Sequence, residues 1–195
     1  VQLLLDHSEI IEMDTKCNLG WTIDGKLISN VVGYLGKTAF MWTCENGHKD
    51  VVQLLLNHSE RIELNARDYH GWTAFMLACR SGHKDVVQLL LANLNIDLKA
   101  RDNAGRTALM IACRKDRHKD VVKLLLDYSE RIYLNAKDYD GVTAFMTACR
   151  YGQKGVVKLL LDYSEVVDVN IPESFGLHQE IKTLLKMHYF PIYYP

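Results

Sequence analysis

The chain has 195 residues, of which 48% are hydrophobic and 24% are charged, and this composition is typical of a globular protein with a buried core. The 23 basic residues stand against 24 acidic ones, so the net charge of −1 argues against nucleic acid or an anionic membrane as the partner. No apolar run approaches the roughly 20 residues that a membrane-spanning helix needs.

The chain opens inside a repeated pattern. Val1–His7 matches Val52–His58 almost residue for residue, and in both segments apolar residues recur at helical spacing. We therefore interpret residues 1–22 as an incomplete repeat that begins with its second helix. Since Val1 already lies inside this amphipathic pattern, we expect the sequence to begin partway through a longer protein.

Residues 23–37 interrupt the repeat, because a helix should start at Thr22 and the frame resumes at Thr38. Short apolar stretches flank Asp24-Gly25, a dipeptide that favours a two-residue hairpin turn. We therefore predict an irregular or hairpin insertion. A decayed repeat that has lost its helices and packs irregularly is the competing interpretation.

Residues 38–170 are interpreted as four full repeats. The segment Gly71–Leu91 has three close copies, and the threonine near the start of each copy recurs at intervals of 35, 34 and 36 residues. Each copy predicts a helix, a turn, a second helix and an extended loop. In this segment Thr73 is the expected N-cap, Gly82 ends the first helix, and Asp85 suits the positive end of the second helix. One such pair cannot bury its own apolar faces, so we expect neighbouring pairs to stack.

The repeat frame fails again after Asn170, where Ile171-Pro172 stops any helix. One further amphipathic helix is predicted near His178–His188. We interpret residues 171–195 as a terminal cap with an aromatic, proline-containing tail packed on it. Residues 1–195 are thus expected to form a single repeat domain.

Three motifs resemble the ankyrin repeat: Gly-x-Thr-Ala-(Phe/Leu)-Met-x-Ala-Cys, Gly-His-Lys-Asp-Val-Val-x-Leu-Leu-Leu and Leu-Asn-Ala-(Arg/Lys)-Asp. The resemblance implies an all-α solenoid of stacked helix pairs with projecting finger loops. The first helix has Thr-Ala-Phe-Met where the family usually has Thr-Pro-Leu-His, and the linker is about two residues longer than usual. With this first-helix motif and this longer linker, the chain resembles the ankyrin families of giant viruses that infect amoebae.

Recurring histidines and cysteines raise the possibility of a metal site, but their spacing argues against it. One of each falls in nearly every repeat, so neighbours should lie about 10 Å apart, whereas zinc ligands converge at about 2.0–2.3 Å. The acidic residues also recur with the repeat, so no set of catalytic residues converges. We therefore expect no cofactor, no metal and no enzymatic activity. The recurring cysteines are read as reduced thiols, which are typical of a cytoplasmic protein: Cys44, Cys79, Cys113 and Cys149.

The resemblance implies that a partner binds at the finger tips and at the inner ends of the first helices. Residues at these positions vary between repeats while the repeat core hardly changes, although drift at exposed sites would give the same variation. The candidate partner-binding residues are Lys37, Glu45, Tyr69, His70, Trp72, Arg80, Ser81, Asn103, Arg106, Arg114, Lys115, Tyr139, Asp140, Val142, Arg150 and Tyr151.

The predicted function is therefore that of a monomeric scaffold that binds a partner protein along its concave face. Arg80, Arg114 and Arg150 occupy one repeat position, and a row of them would suit an acidic or phosphorylated segment of that partner. Alternatively, each arginine bonds the last carbonyls of its own helix. A second function is nucleic-acid or nucleotide binding through the arginines, with the rings of Trp72, Tyr139 and Tyr151 stacked on the bases. If the viral resemblance holds, the partner is a host or viral protein in the host cytoplasm.

Overall fold

The computed structural model describes residues 22–23, 26–27, 34–59, 62–172, 175–177 and 179–189. The chain divides into two compact units, an amino-terminal unit, Val1–Asp97, and a carboxy-terminal unit, Leu98–Pro195. In the described part of both units, the regular structure is helical apart from one pair of two-residue strands. Residues 1–21 of the incomplete repeat predicted at 1–22, and residues 190–195 of the tail, lie outside the described residues.

The amino-terminal unit begins with two short strands, β1 (Thr22–Ile23) and β2 (Lys26–Leu27). They pair antiparallel, with Thr22 opposite Leu27. Residues 24–25, which carry the predicted turn, and residues 28–33 lie outside the described part of the chain, so the boundaries of the insertion stay a prediction. A 3₁₀ turn at Tyr34–Gly36 then leads into the first helix.

Four helices follow in the amino-terminal unit: α1 (Ala39–Asn46), α2 (Lys49–Leu56), α3 (Ala74–Ser81) and α4 (Lys84–Ala92). Helix α1 packs on α3, and α2 packs on α4, so equivalent helices of successive repeats lie side by side. The predicted N-cap is confirmed, since Thr73 Oγ1 accepts the Met76 N–H at 3.3 Å. Gly82 has a φ of 82°, so it ends α3 in the left-handed conformation that glycine adopts without strain.

The carboxy-terminal unit has the same plan with five helices: α5 (Ala108–Ala112), α6 (Lys119–Asp127), α7 (Ala144–Arg150), α8 (Lys154–Asp162) and α9 (Gln179–Tyr189). Helix α5 packs on α7, and α6 packs on α8. Short 3₁₀ turns lie at Asp116–His118 and Ser129–Arg131. Helix α9 lies within one residue of the position predicted for the terminal helix.

The core of each unit is built by the first helices and by one face of the second helices. Residues Ala74–Cys79 are all buried, because a first helix is enclosed on several sides, whereas α4 buries Val86, Val87, Leu90 and Leu91 on one face. Each buried side chain of this size stabilises the fold by roughly 1.5–3 kcal/mol. Most of the apolar residues of the repeat pattern are thus buried in the core.

The loops between repeats are fixed by one asparagine position. Asn65 Nδ2 donates to the Asn95 carbonyl at 2.8 Å, and its Oδ1 accepts the Asp97 N–H at 2.8 Å. Asn135 makes the same two bonds to Val166 and Asp168 in the carboxy-terminal unit. These bonds replace water on the loop backbone and set the register of one repeat against the next.

In the last full repeat, the aspartate at the start of the second helix is supplied by the preceding repeat. Helix α8 has Gly155 where the other second helices have an aspartate in the first turn. The carboxylate of Asp116, which belongs to the preceding repeat, accepts the Val156 N–H at 2.9 Å in its place. A Cβ added at Gly155 would lie 2.9 Å from Asp116 Oδ1, so the glycine leaves room for this cap. The extra residue in the turn 114–118 supplies the aspartate that caps the next helix.

Candidate functional site

The finger at Asp68 and the finger at Asp138 are each closed by an aspartate that folds back on its own backbone. In the amino-terminal unit, Asp68 Oδ1 accepts the N–H groups of His70 at 2.8 Å and Trp72 at 2.9 Å. In the carboxy-terminal unit, Asp138 Oδ1 accepts those of Asp140 at 3.0 Å and Val142 at 2.8 Å. Because the two fingers have the same turn, side chains of different chemistry stand at equivalent positions on a common backbone.

A tyrosine at the tip of each of these fingers is exposed and yet held in place. Tyr69 is 71% exposed and Tyr139 is 74% exposed. The Tyr69 N–H donates to the Leu35 carbonyl at 3.0 Å, and the Tyr139 N–H donates to the Ala104 carbonyl at 3.1 Å. Each ring lies over the glycine of the preceding finger, where an added Cβ would come within 2.7 Å of the ring. The tips therefore present large aromatic surfaces at fixed positions.

Most of the other predicted finger and helix-end residues also reach solvent. The predicted residues that are exposed or partly exposed, besides the two tyrosines, are Glu45, His70, Arg80, Ser81, Asn103, Arg106, Arg114, Lys115, Asp140, Arg150 and Tyr151.

Three predicted partner-binding residues are instead buried. Lys37 is 6% exposed, Trp72 is 8% exposed and Val142 is 3% exposed. All three follow the glycine of a finger, where the chain turns back into the protein before the first helix begins. Their side chains are enclosed by neighbouring groups and offer almost no surface to a partner, so their assignment to the binding site is corrected.

A closed polar network joins the predicted residues of the amino-terminal unit. Lys37 Nζ lies 2.5 Å from Glu45 Oε2, and its side chain is only 7% exposed. Arg80 Nη1 lies 3.9 Å from Glu45 Oε1, and its guanidinium lies 4.7 Å from the centre of the Trp72 ring. His83 Nε2 lies 2.9 Å from the Glu45 carbonyl oxygen, to which it donates. Glu45 thus compensates the positive charges of both Lys37 and Arg80.

The carboxy-terminal unit holds its two arginines on aromatic rings. The Arg114 guanidinium lies 4.8 Å from the centre of the Tyr151 ring, and its Nη2 donates to the Tyr151 hydroxyl at 2.9 Å. The Arg150 guanidinium lies 4.7 Å from the centre of the Phe175 ring. Among the described residues, neither arginine has a carboxylate within ion-pair distance. Arg106 differs from both, because it forms a two-point ion pair with Asp102, at 2.7 Å for each bond.

These contacts bear on the two interpretations of the arginines. The guanidinium groups of Arg80, Arg114 and Arg150 contact aromatic rings within their own units, and no described side-chain hydrogen bond joins them to the last carbonyls of their own helices. Helix α5 packs on α7, so the equivalent positions Arg114, just after α5, and Arg150, at the end of α7, belong to neighbouring helices. Both lie in the carboxy-terminal unit, whereas Arg80 belongs to the amino-terminal unit.

Sequence reasoning missed two residues that shape this region. Phe175 supports Arg150, but it lies beyond Pro172, where no repeat frame remains to indicate a contact. Asp116 caps α8, and its role could have been inferred from the extra residue in its turn together with the missing aspartate at Gly155.

The four repeating cysteines are buried in the core, and burial disfavours their ionised, reactive form. Burial raises the pKa of the Cys149 thiol to about 12, and it raises the pKa of Cys44, Cys79 and Cys113 still further above the ordinary value. Across the described residues, no three histidine, cysteine, aspartate or glutamate side chains are grouped so that they could hold a metal ion. None of the helices in the same part of the chain has the length and apolarity that crossing a lipid bilayer requires.

Comparisons with known proteins agree with this architecture. The family described as "Ankyrin repeats (3 copies)" matches residues 1–102 and 94–172. A segment of 56 residues is 41% identical to osteoclast-stimulating factor 1 of Monopterus albus, and it covers 27% of this chain and 26% of that protein. The chain therefore matches about a quarter of the length of this curated relative. The predicted all-α ankyrin-repeat class is confirmed.

Proposed function

Because the chain belongs to the ankyrin-repeat family, we propose that it is a scaffold that binds a partner protein through the finger tips and exposed helix ends of its units. Ankyrin repeats generally mediate protein–protein interaction. Nothing in the proposed role requires a catalytic step or a cofactor. The chain is proposed to act as a monomer, with a partner that covers roughly 800 Å² of its surface.

The observation that carries this proposal is that the two finger-tip tyrosines are exposed while their backbone is already hydrogen-bonded. Large aromatic side chains are enriched where binding energy concentrates in protein interfaces. Tyr69 and Tyr139 are mostly exposed, and their backbones are already bonded to the preceding finger. A partner that covers them therefore buries large rings while it orders little additional backbone, which lowers the entropy cost of binding.

Nucleic-acid binding, the second function considered, has less support. It relies on aromatic rings whose faces can stack on bases. Trp72 is buried, and the Arg114 guanidinium already lies over the Tyr151 ring. Of the three rings proposed to stack on bases, Tyr139 keeps a largely exposed ring.

The setting of the interaction is a further part of the proposal. The Thr-Ala-Phe-Met form of the first helix resembles giant-virus ankyrin families, and this supports a cytoplasmic partner in a host cell. Capture of proteins from an amoebal lysate and from a lysate of unrelated cells would test this point. Specific capture from the amoebal lysate is expected.

The binding surface itself is tested with a double variant, Tyr69→Ala with Tyr139→Ala. We expect it to lose more than tenfold in affinity for a captured partner, about 1.4 kcal/mol, because both rings are removed while the finger backbone stays bonded. The matched control is Gln88→Ala with Lys123→Ala, two exposed residues on second helices. Affinity is measured by calorimetry, and circular dichroism verifies the fold. Equal affinity of the finger variant and the wild type would contradict the proposal.

A further inference from the structure

We propose that Arg114 and Arg150 of the carboxy-terminal unit bind carboxylates in an acidic segment of the partner protein. The inference rests on the proposed scaffold function and specifies the chemistry of the partner at that surface.

The first support is the charge balance around the two arginines. Two carboxylates of this unit have other contacts: Asp102 pairs with Arg106, and Asp116 accepts the Val156 N–H. Arg114 and Arg150 have no ion-pair partner among the described residues, although both are at least partly exposed. Within the described part of the chain, two positive charges on successive repeats are therefore left uncompensated, and an external anion would supply the missing negative charge.

The second support is the way in which the arginines are held. An aromatic ring attracts a guanidinium through the negative face of its π system, and the contact restricts the long side chain. A guanidinium has five N–H donors, of which Arg114 uses one on the Tyr151 hydroxyl. A carboxylate needs two of the remaining donors for a two-point bond. Tyr151 and Phe175 therefore position the arginines without using up their capacity to bind an anion.

The spacing suits a peptide segment. Arg114 lies in the turn two residues after α5, and Arg150 is the last residue of the neighbouring helix α7; packed helices lie about 8–10 Å apart. An extended chain advances about 3.3 Å per residue, so a segment of roughly three residues spans this distance. Base stacking would need a free ring face, and both supporting rings already carry a guanidinium. The contacts therefore favour glutamates or aspartates of a protein segment over a nucleic acid.

Arg80 provides a matched control within the same chain. It also lies over an aromatic ring, Trp72, but Glu45 lies 3.9 Å from it and supplies a negative charge. An acidic segment gains less from Arg80, because it would compete with a carboxylate that is already present. The inference thus predicts a difference between arginines at the same repeat position.

The test uses the full chain and a fluorescent peptide of alternating glutamate and glycine, with its glutamine counterpart as the uncharged probe. Fluorescence anisotropy should show binding of the glutamate peptide only, with affinity falling as salt increases. Arg114→Gln with Arg150→Gln should weaken binding by about tenfold or more, whereas Arg80→Gln should weaken it less. A lysine double variant at positions 114 and 150 should keep part of the affinity, because the charge remains while the forked donors are lost.

Three results would overturn the inference: no binding of the glutamate peptide, equal losses for the Arg80 and Arg114/Arg150 variants, or tighter binding of a phosphoserine peptide or oligothymidylate. Failure here is separable from failure of the scaffold function. If the tyrosine finger variant loses the captured partner while the arginine variant binds every probe normally, the scaffold stands and the acidic-segment inference fails. If the finger variant keeps the partner, the proposed function fails whatever the peptide does.

Discussion

The two units share one repeat plan, but they differ in the charge and the contacts of the residue that follows the buried cysteine. In the amino-terminal unit this position holds Glu45 in one repeat and Arg80 in the next, and the two side chains face each other across the repeat interval. In the carboxy-terminal unit it holds Arg114 and Arg150, and each arginine contacts an aromatic ring instead. The charge of the equivalent residue in the adjacent repeat therefore decides whether an arginine is neutralised within the protein or offered to a partner.

The largest effect is expected when the carboxy-terminal unit loses part of its stack. Deletion of residues 143–195 removes α7, α8 and α9, and thereby exposes the Val121–Leu126 face of α6, which packs on α8. We expect aggregation or partial melting, because a large apolar patch is left uncovered. A denaturant melt followed by far-UV circular dichroism measures the change. Full solubility with an unchanged midpoint would contradict the expected dependence on neighbouring repeats.

A smaller effect should separate the closed network from the stacked arginines. Glu45→Gln leaves Lys37 buried without its counter-charge, and we expect a loss of about 3 kcal/mol in the free energy of unfolding. Arg114→Gln removes a partly exposed contact with a ring, so its cost should be about 0.5–1 kcal/mol. Chemical denaturation of both variants measures the difference.

The control for the closed network is the double variant Lys37→Met with Glu45→Gln. It should recover part of the stability, because no buried charge is then left unpaired. If Glu45→Gln costs no more than Arg114→Gln, the network of the amino-terminal unit does not hold the charges as described.

The smallest effect concerns the caps of the second helices. Asp116→Ala removes the acceptor for the Val156 N–H at the start of α8, and the expected cost is about 1 kcal/mol. Asp85 stands in the first turn of α4, where it forms an exposed ion pair with Lys49 at 3.9 Å. Asp85→Ala should therefore cost about 0.5 kcal/mol, from the helix dipole. Adding Gly155→Asp to Asp116→Ala should restore part of the loss, and thermal unfolding would reveal whether it does.

Much of the fold could be predicted from the sequence because each repeat confirms the others. The threonine caps and the apolar face of α4 follow from a pattern that occurs four times, and the glycine that ends α3 recurs in three of the four repeats. The contact between Glu45 and Arg80 also follows from that pattern, because stacked repeats bring equivalent positions together. The family match confirms the fold class that these patterns indicate.

The features that the sequence did not reveal lie where the repeat gives no guidance. Lys37, Trp72 and Val142 vary like surface residues, but the direction in which the finger turns back buries them. The contact of Arg150 with Phe175 joins a repeat position to a segment that follows no repeat. Such pairings depend on the path of one loop, and the pattern of the repeat contains no information about that path.

The aspartate-closed finger has a consequence for how such a protein changes its partners over generations. His70 and Asp140 occupy the same position in two fingers, and the backbone of each is held by the same pair of bonds to an aspartate. Because those bonds use the main chain, they do not depend on which side chain stands there. Mutation can exchange an imidazole for a carboxylate at the tip while the loop keeps its conformation. The finger thus allows selection to act on recognition separately from selection on folding.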